Sequence, residues 1–145
     1  MENTIEKLAG KTTDANNRGE NRFILSGKQK QMMTQQFNML AKEIHPSMML
    51  LLSRAKEAGF GADHSLNLED WESFYTIIPP SERHKVSFVF YMDDLVEDIF
   101  LRITVEKSVG RVSEIMNKKI ADVNAVQDIM VDVLGGLARV VNHMD

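Results

Sequence analysis

No cysteine occurs in these 145 residues. Disulfides and thiolate metal sites are therefore excluded, and a cytosolic location is compatible with that absence. No run of about 18 apolar residues exists, so no helical membrane span is predicted. The first residues lack the apolar core of a signal peptide, and ordinary secretory export is not expected. A basic excess is missing too. The formal net charge of −4 supplies no bulk field to attract nucleic acid. There is no glycine-rich phosphate loop, nucleophile elbow or kinase signature. The four histidines, His45, His64, His84 and His143, have no H-x-x-x-H spacing, and no E-x-x-H pair supports a di-iron bundle.

What is present has an ordinary globular composition, 43% hydrophobic and 26% charged, enough for one domain with a real core. Residues 1–20 are polar, with only Ile5 and Leu8 as apolar anchors, and read as a flexible N-terminal tail. Residues 21–145 read as a single helical domain. Ser26 and Gln29 form an S-x-x-Q capping box. Behind it Met33, Phe37, Leu40, Ile44, Met48, Leu51, Ala55 and Ala58 recur at spacings of three and four, a helical stripe ending at Gly59. Pro46 lies inside it, and the unbroken phase predicts two nearly collinear helices or one kinked helix. Residues 59–67 read as a loop. Asn67 caps a predicted short helix carrying Trp71, Phe74, Tyr75 and Ile78, which Pro79-Pro80 ends.

The most apolar long run is Val86 to Ile103, with four carboxylates in its middle. At about 100° per residue, Met92, Leu95, Val96, Ile99 and Ile103 share one helix face, and Asp93, Asp94, Glu97 and Asp98 the other. The β-branched and aromatic content of Val86–Met92 suits a strand, but the acidic run and the spacing after it favour helix. Like charges at i,i+4 cost roughly 0.2–0.5 kcal/mol per pair, so a basic partner, a cation or solvent must compensate. Beyond Ile103, Val105, Val109, Val112 and Met116 form a second stripe on an opposite face, or the helix breaks near Gly110. The last predicted helix starts at Asp122 or Asn124 and carries Val123, Val126, Met130, Val133, Leu137, Val140 and Met144, widened by Ile129, Leu134 and Val141. Gly135-Gly136 in its middle implies tolerated weakness, a bend, or close approach of a neighbouring helix.

Over six residues the acidic run resembles the acidic helices of all-α nucleotide pyrophosphohydrolases and the D-D-x-x-D helix of prenyl-chain enzymes. Hard cations want several oxygen ligands, and carboxylates one helical turn apart can supply two, so the alternative is a magnesium or manganese site at Asp94 and Asp98 completed by Asp128 or Asp132 from a second helix. The paired E-x-x-E and E-x-x-D segments of the pyrophosphohydrolases are absent, and prenyl-chain enzymes are much larger. Ten methionines, five of them within Met32–Met49, are adaptable contact residues.

The sequence therefore predicts an all-α helical bundle of five or six helices behind a flexible N-terminal tail. Its expected function is non-enzymatic: a cytoplasmic regulator, adaptor or chaperone-like protein, without a cofactor, acting through helix–helix contacts with a protein partner and as a homodimer. The expected contact residues are Met32, Met33, Met48, Met49, Phe90, Asp93, Asp94, Glu97 and Leu101. The alternatives are the metal-dependent phosphohydrolase and, from the lysines of the first helix, a nucleic-acid accessory protein. Nucleic acid and membrane are not expected partners.

Overall fold

The computed structural model describes residues 27–80, 84–108 and 110–142. The tail expected over 1–20, the cap at Ser26, and His143 and Met144 lie outside the described residues.

The first helix forms where its stripe placed it. α1 spans Gly27–Glu57 as one helix with Pro46 inside it. It buries Met33, Phe37, Leu40, Ala41, Ile44, Met48 and Leu52. The last helix, α2, spans Val126–Asn142. Before it, the Asp122 side chain accepts a hydrogen bond from the Asn124 backbone N–H at 2.9 Å.

Between the two helices the bundle prediction fails. The protein is α+β: two helices and five antiparallel strands in the order β1-β2-β3-β4-β5. β1 is Gly61–Asn67 and β2 Glu72–Ile78, joined through a 3-10 turn at Leu68–Asp70. β3 is Lys85–Asp93, β4 Asp98–Ser108 and β5 Arg111–Lys119. The predicted short helix is the 3-10 turn plus β2, and the predicted central helix is β3, a turn and β4.

Alternation is the physical reason. Val86, Phe88, Phe90 and Met92 recur every second residue and are all buried, as are Ile99, Leu101, Ile103 and Val105. The helical spacing of Met92, Leu95, Val96 and Ile99 was a coincidence of the turn. Leu95 and Val96 are exposed at its tip. Asp93 closes that turn: its carbonyl accepts from Glu97 N–H at 2.7 Å and its side chain from Leu95 N–H at 2.9 Å. The acidic run is thus a hairpin turn, and no helix carries those like charges. Beyond it, the stripe from Val105 to Met116 is divided between β4 and β5, with Gly110 in their turn at φ 82°.

Both helices pack on one face of the sheet. His45 of α1 contacts Tyr75, Tyr75 pairs with Phe88, Phe88 pairs with Ile103, and Ile103 meets Gly136 of α2. That face holds the core: Tyr75, Ile77, Val86, Phe88, Phe90, Met92, Ile99, Leu101, Ile103 and Val105 against the buried stripes of α1 and α2. The result is two layers, helices on one side and the opposite sheet face without a helix among the described residues. No helix of the described residues is long and apolar enough to cross a membrane.

Candidate docking surface on the open sheet face

Strand alternation fixes which side chains share the open face, and the register aligns them in rows. One row runs Asn67, Glu72, Tyr91, Phe100, Lys119 across the five strands. The next runs Ser65, Phe74, Val89, Arg102, Asn117. A third is Asp63, Thr76, Ser87, Thr104, Glu114. The centre of the face is therefore apolar and aromatic, with hydroxyls on one side. Such a face has two sources in the chain: β-branched and aromatic residues that suit a pleated surface, and β-strand alternation that sends half of them away from the core.

The aromatic groups are ordered against one another. Tyr91 and Phe100, directly opposite across β3 and β4, stack with ring centres 5.6 Å apart and an interplanar angle of 19°. The Arg102 guanidinium sits 5.6 Å from the Tyr91 ring centre, a cation–π contact. Tyr91 Oη donates to Asn117 Oδ1 at 3.2 Å. Val89, flanked in register by Phe74 and Arg102, is only 5% exposed although no described helix covers it.

The rim is mostly acidic. Asp93 and Asp98 close one end, Glu106 and Glu114 lie toward the other, and Glu72 and Asp63 are on the β1–β2 side. Against these six carboxylates stand Lys85, Arg102, Lys119 and, in register with Ser108, Arg111. Lys119 pairs with Asp98 at 3.5 Å, an exposed pair.

The residues named from the sequence fall elsewhere or scatter. Phe90 and Leu101 are in the core, as are Met33 and Met48; Met49 is half-buried against it, and Met32 is 59% exposed. Asp94 and Glu97 lie in the β3–β4 turn, with Glu97 at φ 58°. The four carboxylates of the metal alternative do not converge. Asp98 is on the open face, whereas Asp128 and Asp132 are on α2 across the sheet. Asp132 is held by Lys118 Nζ, 3.0 and 3.2 Å from its two oxygens, beside a cleft of about 210 Å³ lined also by Asp122 and Asp128. Among the described residues no group of three or more His, Asp or Glu could hold a metal ion. Tyr91, Phe100 and Arg102 were not singled out from the sequence. The period-two pattern through Val89, Tyr91 and Phe100, Arg102 was the available signal.

No protein-family model, no curated protein and no solved structure matches the chain.

Proposed function

We propose that the chain is a non-enzymatic protein-binding module, a cytoplasmic adaptor or regulator, and that its open sheet face receives a cationic, apolar segment of a partner protein. One observation carries the reading: an ordered aromatic platform on a sheet face that no helix covers among the described residues, ringed by an excess of carboxylates. Large aromatics and arginine are the side chains that concentrate binding energy at protein contacts. The rim sets the sign of the partner. Carboxylates repel a phosphate backbone and attract lysine and arginine, which favours a basic peptide over a single-stranded nucleic acid on the same stacked rings. We place the contact on the sheet and not on the helices, although α2 leaves Val131, Leu134 and Val141 exposed, because the sheet face carries the ordered aromatic pair.

The test is calorimetric titration with a twelve-residue peptide alternating lysine and leucine, beside a glutamate–leucine counterpart and a poly-dT oligonucleotide. We expect binding of the lysine peptide alone, weakening as salt rises. Tyr91→Ala with Phe100→Ala should lower its affinity at least about tenfold, the effect of losing one hot-spot contact. Equal binding of the acidic peptide, preference for the oligonucleotide, or indifference to the double substitution would each overturn the reading. Light scattering at the same concentrations shows whether a second copy occupies the face instead.

A further inference from the structure

On the helix-covered side, away from the docking face, two of the four histidines meet. His45, midway along α1, and His64, in the middle of the edge strand β1, have ring centres 5.6 Å apart with planes inclined at 57°. Tyr75 lies beneath both. Its hydroxyl is 2.8 Å from His45 Nδ1, and its ring stacks on His64 at 6.3 Å and 16°. Tyr75 is itself fully buried and braced edge-on by Phe90.

We propose that His45 and His64 form a binding site for a divalent transition-metal ion of the zinc type, with Tyr75 as the residue that positions His45. Imidazole nitrogen selects zinc, nickel or copper over magnesium or calcium. An ion bonded to an imidazole nitrogen lies about 3.2 Å from the ring centre, the bond length plus the ring radius. Two ligating rings are then about 4.5–6 Å apart for ligand angles between about 90° and 140°. The observed separation falls within that range, so the two rings are spaced as ligands of one ion would be. His64 is exposed and free to turn.

Tyr75 supplies the orientation that histidine ligands require from the group behind them. With Nδ1 of His45 engaged by the phenol, Nε2 is the ligating atom. A phenol both donates and accepts, so it serves either tautomer: it donates to Nδ1 when Nε2 carries the proton, and accepts from Nδ1–H when Nε2 holds the ion. Burial keeps this hydroxyl protonated, its pKa pushed up to about 12. No third His, Asp or Glu joins the pair among the described residues, so water completes the coordination from the exposed β1 side. The bound ion ties the edge strand β1 to α1.

The probe is zinc sulfate, with magnesium sulfate at matched ionic strength as control, read by thermal melting and isothermal titration. Zinc should raise the melting midpoint as its concentration passes the dissociation constant, and magnesium should not. His64→Ala, at an exposed position, should abolish the shift while leaving the metal-free midpoint nearly unchanged. Tyr75→Phe keeps the ring and should weaken zinc by about 10–100-fold, the usual effect of losing the group behind a ligand. Proton exchange of the His45 and His64 imidazoles, followed by NMR, should respond to zinc at both rings together. A zinc shift that survives His64→Ala, the absence of any shift, or unchanged zinc affinity in Tyr75→Phe would overturn the assignment.

Discussion

At the residue scale, three side chains depart from the rules around them. Ser73 is fully buried on the core face, and its hydroxyl has no hydrogen-bond partner among the described residues. Its register neighbours are Leu66 and Phe90. Stripping water from a hydroxyl without replacing its bond costs about 1–3 kcal/mol, so Ser73→Ala should stabilise the fold by about 1 kcal/mol after the small loss of packing. Urea unfolding measures it, and a destabilised variant would mean that Ser73 has a partner. Glu97 is held at φ 58°, a conformation that disfavours side chains with a Cβ. Glu97→Gly should raise the urea midpoint by the equivalent of about 0.5–1 kcal/mol, because glycine adopts that region freely but loses more chain entropy. The third residue is Tyr75, whose phenol burial raises from its ordinary 10.0 to about 12. The folded state then holds its proton where the unfolded chain releases it. Its contribution is complete below about pH 10 and is lost as pH rises from about 10 to about 12. In chelator-treated protein, stability should fall across that window, and Tyr75→Phe should make the fall shallower.

At the scale of elements, the adjacent glycines of α2 separate cleanly. A Cβ on Gly136 would collide with Cδ1 of Ile103, whereas one on Gly135 would meet none of the described residues within 4 Å. Ile103 is fully buried, so its terminal methyl has little space to swing into. Gly136→Ala should therefore cost about 1–3 kcal/mol despite its helix propensity, and Gly135→Ala should gain up to about 1 kcal/mol. Ile103→Val removes the clashing methyl, so the double variant with Gly136→Ala should be less destabilised than the two single changes summed. Chemical denaturation of all four proteins checks this, and strict additivity would show that Gly136 is not pressed against Ile103.

The same pair shows how far the sequence could be read. It announced a close approach or a weakness but not the partner, which is a strand and not a helix. α1 was legible because its stripe, with Met33, Phe37, Leu40, Ile44 and Met48 buried at spacings of three and four, has no competing period. β3 and β4 were misread because a short turn put Leu95 and Val96 where a helix would also put apolar residues, and because acids at the tip imitate a polar helix face. The open face was hidden with them. Tyr91 and Phe100 become neighbours only once the hairpin register is set, and His45 reaches His64 only through packing of α1 on the sheet. The core face of α2 keeps Val133 and Val140 of the predicted stripe, with Ile129 from its widening, and adds Gly136, while Met130 and Leu137 are only half-buried against it and Leu134 and Val141 are exposed.

For the whole molecule, one-sided cover sets a gradient of stability across the sheet. β3 and β4 are hydrogen-bonded on both sides and supply most of the strand core. β1 is an edge whose seven residues are all exposed except the half-buried Ala62. Local opening depends on how much apolar contact must be broken, so the strands should not open together. In metal-free protein, amides of β3 and β4 should exchange only through global unfolding, and those of β1 at a smaller free energy, as hydrogen exchange followed by NMR would resolve. Zinc, by tying His64 to α1, should raise protection in β1 and leave β3 and β4 tracking global stability. Protection in β1 as high as in β3 without metal would mean that the edge is covered. If that protection falls on dilution, the cover is a second copy of the chain pairing along β1, the homodimer expected from the sequence now made by strands and not by helices.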